Sequence, residues 1–196
     1  MIDNADAVKL LDSKRQDSVL VATMNANNVN FGLPSVTTKD NLDFPLSGAM
    51  GKASSVGLGL ALAQPGRKIM VLDGDGSLLM NLGTMVTLSN KGPKNLYHFL
   101  FDNGVYAVTG GQPVPGAGRA DWEEMAKAAG YAATFSFDNL EDLTTRIDEV
   151  LSSQGPVFIH LAITPEIENT AVQFRPRARR TVLTAFRELP AAMAGR

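Results

Sequence analysis

Residues 69–106, IMVLDGDGSLLMNLGTMVTLSNKGPKNLYHFLFDNGVY, hold two apolar runs that each end in acidic or amide side chains set among glycines. Ile69–Leu72 and Tyr97–Phe101 are short and bounded by breakers, as buried parallel strands are, and Leu78–Ser89 between them suits a crossover helix. A right-handed βαβ unit places its two strands side by side, so Asp75 and Asn103 emerge together at the carboxyl edge of the sheet. Gly74 and Gly76 leave backbone amides uncovered and permit positive φ, and a helix beginning near Ser77 points its positive end outward, a place for phosphate. An oxygen-ligated hard cation, most simply magnesium, would bridge such a phosphate to Asp75 and the Asn103 side-chain carbonyl. Taken alone, Gly-Asp-Gly is also what an ordinary strand-end turn contains.

Outward from this unit the chain alternates strand and helix. Asp3 or Asn4 can cap a first helix with Ala7, Val8, Leu10 and Leu11 on one face, and Ser18–Thr23 reads as the first strand. Residues 24–47 lack periodicity and form a long connection, a place where function often sits. Its asparagines, Asn25, Asn27, Asn28 and Asn30, suit turns first and ligand donation second. KASSVGLGLALA (52–63) is a helix whose Gly and Ala content permits close packing on a neighbour. Gly104–Ala120 contains too many glycines and prolines for a regular element and reads as a mobile loop. Asp121 caps DWEEMAKAAG with Glu124 at the capping-box position and Gly130 as the stop, and Trp122 is a packing anchor. Tyr131–Phe137 is a strand, Asn139 caps a helix with Leu140, Leu143, Ile147, Val150 and Leu151 on one stripe, and Pro156–Ile163 is the last strand. This pattern defines an α/β, doubly wound, mainly parallel sheet with helices on both faces. A single domain over 1–196 is expected, ending in a tail helix at about 176–190 with Val182, Leu183, Phe186 and Leu189 on one face.

Composition narrows the function classes. With 44% apolar and 19% charged residues the 196-residue chain has ordinary globular makeup. No apolar run reaches the ~20 residues that span a bilayer, and no signal-peptide core is seen in MIDNADAVKLLDSKR, so a cytoplasmic protein without membrane association is expected. Zero cysteines exclude thiolate metal sites, a Cys nucleophile and protein-bound iron–sulfur clusters within it. The net charge of -2 gives no reason to expect nucleic acid, and Arg175, Arg177, Arg179, Arg180, Arg187 and Arg196 are read as solvated or subunit-contact residues. His98 and His160 fall inside strands and are read as packed core histidines rather than bases, which leaves little material for a Ser-His-Asp triad.

Gly-Asp-Gly followed by about 26 residues and then Asn resembles the signature of thiamine diphosphate enzymes. SGAMGKASSVGLGLALA, VLDGDGSLLMNLG and DNGVYAVTGGQ carry the resemblance, which spans roughly residues 5–163. It is similar to the diphosphate-binding (PP) domain of the decarboxylase group, and within it to the small subunit of sulfopyruvate decarboxylase and the C-terminal half of phosphonopyruvate decarboxylase. The resemblance implies that Asp75, Asn103 and the main-chain carbonyl of Val105 hold Mg2+, and that Gly74, Gly76 and Ser77 hold the diphosphate. Asp102 departs from the Asn-Asn of many relatives, altering local charge rather than the ligand set. Gly48-Ala49-Met50-Gly51 matches the motif beneath the cofactor, with the Gly48 carbonyl accepting from the aminopyrimidine. Met50, which composition alone would read as core filler, matches the wedge that enforces the V-shaped conformer. Tyr106, Thr109 and Gln112 match a Tyr...Thr-Gly-Gly-Gln pattern near cofactor and substrate, and Tyr106 equally suits a loop anchor.

In the family an activating glutamate belongs to a separate pyrimidine-binding (PYR) domain, which nothing in these residues resembles. The implied protein is therefore one half of a hetero-oligomeric, non-oxidative decarboxylase of a small 2-oxoacid, with the PYR domain and the activating glutamate on a partner chain. Carboligation by the same chemistry and a non-enzymatic phosphate- or nucleotide-binding module are the alternatives. The cofactor subunit of 2-oxoacid:ferredoxin oxidoreductases shares Gly-Asp-Gly, but the missing cysteines count against it.

Overall fold

A computed structural model describes residues 1–194. Arg196 of the basic tail lies outside the described residues. In chain order the elements are α1 (Asn4–Lys14), β1 (Val19–Ala22), α2 (Leu33–Val36), β2 (Asp43–Pro45), α3 (Ala53–Ala63), β3 (Ile69–Gly74), α4 (Asp75–Leu79), α5 (Thr84–Lys91) and β4 (Leu96–Asp102). They continue as β5 (Val105–Tyr106), β6 (Gln112–Pro113), α6 (Trp122–Ala129), β7 (Ala133–Phe137), α7 (Leu140–Ser152), β8 (Val157–Ala162) and α8 (Val182–Met193). Six strands form one parallel sheet in the order β2-β1-β3-β4-β8-β7.

Alternation along the strands sends side chains to two cores. Leu20, Ala22, Met70, Leu72, Phe99 and Ile159 meet Val8 and Leu11 of α1 and Leu143, Ile147 and Val150 of α7 on one face. Val19, Val21, Ile69, Val71, Leu100 and Phe158 meet α3, α5, α6 and α8 on the other. Both faces are covered, which is why the central strands read as continuous apolar runs. The approach of α3 to the sheet depends on Gly57, where a Cβ would stand 2.2 Å from Cγ2 of Val71. Asp3, Asp121 and Asn139 cap their helices by accepting the backbone N–H of Asp6, Glu124 and Asp142.

The fold class is as the sequence indicates, and several details differ. The expected single helix over 78–89 is two helices broken at Met80–Gly83, and the first begins at Asp75 rather than near Ser77, with Gly74 as its N-cap. The first turn of α4 therefore includes the whole Asp-Gly-Ser group. The tail helix runs over 182–193, later than 176–190, and carries Pro190 in its last turn. Its buried face is Ala185 and Leu189, while Leu183 and Phe186 are exposed; Phe186 instead sets its ring edge-on against Phe44 of β2 at 4.9 Å. Residues 104–120 are more regular than their glycine content indicates. β5 and β6 pair antiparallel around a turn in which Gly110 and Gly111 take positive φ, so the glycines build a hairpin rather than loosen the loop.

Candidate active site

The carboxyl edge of the sheet is set by register. Gly74 lies opposite Phe101, so Asp75 emerges across from Asp102, with Asn103 one residue beyond. Between these strand ends lies a pocket. Met50, Gly74, Asp75, Gly76, Ser77, Asn103, Val105, Tyr106 and Thr109 all line it. Gly48, Ala49 and Gln112 do not. Gly48 is exposed at positive φ, and Gln112 is exposed with its amide turned back onto Thr109.

Local bonding ties the pieces together. Ser77 Oγ accepts the Gly51 N–H at 3.0 Å, coupling the Gly-Ala-Met-Gly turn to the Gly-Asp-Gly-Ser turn. Gly104 takes φ of +70° and its N–H points at Asp75 Oδ2, at 2.9 Å, and at Asp102 Oδ1, at 3.2 Å. Asn103 Oδ1 accepts the Val105 N–H at 3.1 Å and keeps a lone pair for a second partner. The Tyr106 ring lies on the turn, because a Cβ at Gly76 would be 2.4 Å from its Cε1. Tyr106 is thus both the loop anchor and a wall of the pocket.

The electrostatics of the site are dominated by two neighbouring carboxylates. Burial, reinforced by the neighbouring Asp102, pushes the Asp75 carboxyl up to about 7. Burial would raise Asp102 as well, but the hydrogen bonds from His160, Asp75 and Trp122 outweigh it and hold that group below the usual carboxylate range. An acid side chain raised this way favours a bound cation over a bare negative charge. Among the described residues there is no group of three or more His, Asp or Glu that could hold a metal. The donor set here is of another kind: one carboxylate, one amide oxygen and backbone carbonyls, all hard oxygen ligands of the type Mg2+ takes. Asn25 lines the same pocket, and its buried Oδ1 has no hydrogen-bond partner within the protein.

Several lining residues escaped the sequence reading: Thr23, Met24, Ala26, Asp73, Phe101 and Ala107. The signal for 23–26 was the end of β1, which lies beside β3 and so opens onto the same edge; a turn-rich composition concealed it. Asn25, read first as a turn residue, instead donates through Nδ2 to the Glu166 carbonyl at 3.2 Å. The 164–175 segment is tied to the backbone of lining residues, with Glu168 N–H meeting the Ala107 carbonyl and Arg175 that of Val108. His98 is wholly buried and bonded to the Tyr131 hydroxyl, a core histidine as read. His160 is not. It is only half-buried and lies 3.1 Å from Asp102, because it sits near the carboxyl end of β8, beside the end of β4.

A parallel doubly wound sheet with a Gly-Asp-Gly turn, an adjacent Asn and a buried carboxylate at its carboxyl edge defines an α/β domain with a candidate ligand crevice where such sheets bind their ligands. Residues 23–161 match the thiamine pyrophosphate enzyme family's C-terminal TPP-binding domain, and the chain belongs to that family. It is 43% identical over 154 residues to the phosphonopyruvate decarboxylase of Streptomyces hygroscopicus, covering 77% of this chain and 37% of that protein. It is 36% identical over 169 residues to sulfopyruvate decarboxylase subunit beta of Methanothermobacter thermautotrophicus, covering 84% of each. The chain thus spans under two fifths of the phosphonopyruvate decarboxylases it matches, at 37% and 38% of their length. Its fold superposes on the thiamine diphosphate-dependent 4-hydroxybenzoylformate decarboxylase of Rhodococcus jostii with a TM-score of 0.67 at 18% identity, covering 86% of this chain and 33% of that one. Among the described residues no helix is long and apolar enough to cross a membrane.

Proposed function

We propose that this chain is the cofactor-anchoring half of a cytoplasmic, thiamine diphosphate- and Mg2+-dependent non-oxidative 2-oxoacid decarboxylase, completed by a PYR-domain partner. The observation that carries the reading is the buried Asp75, raised to about 7, facing Asn103 and Val105 across one pocket floored by Gly74, Gly76 and Ser77. Asp75, the Asn103 amide oxygen and the Val105 carbonyl hold the metal, and the Gly74–Ser77 turn receives the diphosphate. Met50, on the same pocket wall, supports the organic part, and Tyr106 covers the turn and excludes water from it. When bound, the cofactor supplies an electron sink for the cleavage of a carbon–carboxylate bond. This chain's share is positioning: it fixes the charged end so that the reactive end meets a partner's acid in one geometry.

Relatives named for sulfopyruvate and phosphonopyruvate support a small oxoacid bearing a second acidic group as substrate. The even coverage of a beta subunit supports a two-chain assembly. The test is to assay decarboxylation of pyruvate, sulfopyruvate and phosphonopyruvate with Mg2+ and thiamine diphosphate, with and without a PYR-bearing chain. Activity is expected only with the partner. Turnover by the purified chain alone, lost on substituting one of its own glutamates, would refute the half-enzyme reading.

A further inference from the structure

Two elements send a side chain to one carboxylate at the end of a third. Asp102 ends β4, His160 lies on the adjoining β8, and Trp122 opens α6. Trp122 Nε1–H donates to Asp102 Oδ2 at 3.0 Å, and His160 Nε2 stands 3.1 Å from the same oxygen. His160 Nδ1 is 2.8 Å from Ser136 Oγ on β7. A serine hydroxyl donating to Nδ1 leaves the proton on Nε2, where it donates to Asp102. With Oδ2 held by two donors, Oδ1 faces the Gly104 N–H, which is also shared with Asp75.

Packing alone does not require this. Trp122 is 4% exposed, and a phenyl ring in its place would bury comparable apolar surface without aiming an N–H at a carboxylate. An asparagine at 102 could accept through only one of its two terminal atoms, setting an NH2 against either Gly104 N–H or the Trp122 and His160 donors. The carboxylate is the group that satisfies all three.

We propose that Trp122 and His160 are positioning residues for metal binding, clamping Asp102 so that the 102–105 turn presents the Asn103 and Val105 oxygens beside Asp75 before the cation arrives. This rests on the assignment of Asp75, Asn103 and Val105 as ligands and adds to it residues that touch neither metal nor cofactor. Outer partners of this kind set metal affinity by ~10- to 100-fold when removed.

The full chain is titrated with Mg2+ at saturating thiamine diphosphate, by calorimetry and by emission of Trp122, the chain's one tryptophan. In the wild type, Mg2+ binding is expected to shift the emission. His160→Asn keeps an atom near Ser136 but is too short to reach Asp102, and should weaken Mg2+ affinity by at least ~10-fold. His160→Gln places an amide donor where Nε2 stands and should restore most of that loss, a rescue that bulk packing does not predict. Trp122→Phe, read by calorimetry, should weaken Mg2+ as His160→Asn does and serves as the second variant should the first not fold. Folded Asn and Phe variants with wild-type affinity, or equal losses for Asn and Gln, overturn the clamp. Wild-type chain that binds neither Mg2+ nor thiamine diphosphate, even with a PYR-bearing chain present, overturns the ligand assignment itself, which a normal wild type with unaffected variants does not.

Discussion

Two clusters of buried charge sit at opposite ends of the sheet and are completed differently. Near the amino ends of β1 and β2, the wholly buried Arg15 meets Asp43 at 2.6 Å and Asp12 at 3.1 Å, and its remaining N–H groups donate to the Ser18 and Leu42 carbonyls. At the carboxyl ends of β3 and β4, Asp75 is buried beside a second carboxylate with backbone N–H groups as its donors. Buried charge persists where it is paired or where it coordinates a ligand. The first cluster is closed by an arginine side chain and backbone carbonyls and belongs to the scaffold, whereas the second is open, having no Lys or Arg partner among the described residues, which suits the metal site proposed for it.

Substituting each cluster's central residue breaks the comparison most directly. Arg15→Met strands two buried carboxylates and should cost about 3–5 kcal/mol of stability, measured by chemical denaturation at neutral pH. Asp75→Asn should leave the metal-free chain at least as stable as the wild type, while abolishing Mg2+-dependent thiamine diphosphate binding by calorimetry. Comparable destabilisation by both would erase the distinction between a closed and an open cluster.

The pH dependence of the metal-free chain sharpens it. Asp75 is raised from 3.8 to about 7, so between those values the folded chain holds a proton that the unfolded chain has released. Stability then falls as pH rises through this window, by on the order of 2–4 kcal/mol for this group. Asp102, shifted down, acts in the opposite sense and only below the usual carboxylate range. Denaturation curves of wild type and Asp75→Asn at pH 5 and pH 8 isolate the effect, since other carboxyls contribute to both. The difference should vanish when Mg2+ and thiamine diphosphate are added to the wild type. A wild-type stability as flat with pH as the variant's would show that Asp75 is ionised throughout.

The open cluster was more legible in the sequence than the closed one. Strand ends announce themselves where an apolar run stops at Gly-Asp-Gly and Asp-Asn-Gly, and parallel topology then fixes which ends meet. Asp12 and Arg15 are neighbours at the end of α1, but Asp43 shares no motif with them, and only the β1–β2 pairing brings it alongside. The same reason hid Trp122 and His160. Each occupies a position whose local pattern asks for packing, and their polar atoms acquire a purpose only when β8 is laid beside β4. Asn25 and the 164–175 segment were illegible for a different cause, because irregular chain has no periodicity from which to infer neighbours. Helix bounds slipped at Met80–Gly83, where apolar residues continue the pattern although the backbone does not, and at the tail, where Thr181 caps a helix that starts and ends later than expected.

The smallest effect concerns how tightly the open cluster is lidded. Gly76 lies within α4, where alanine is favoured over glycine by about 0.5–1 kcal/mol. An added Cβ would nonetheless fall 2.4 Å from Cε1 of Tyr106, so the ring must move or the turn must shift. Overpacking of this kind costs about 1–3 kcal/mol, and the net change for Gly76→Ala should be a loss of about 1 kcal/mol. In a Tyr106→Ala background the obstruction is gone and helix propensity remains, so the same substitution should be neutral or slightly stabilising. The change of sign between backgrounds is the measurement, read as a double-mutant cycle by chemical denaturation of the metal-free chain. Equal effects in both backgrounds would mean that the ring yields freely and that Tyr106 does not rest on the turn. A coupling of about 1 kcal/mol would show that the glycine is retained for the ring above it, and that the lid and the Gly-Asp-Gly turn were fitted to each other before any ligand is bound.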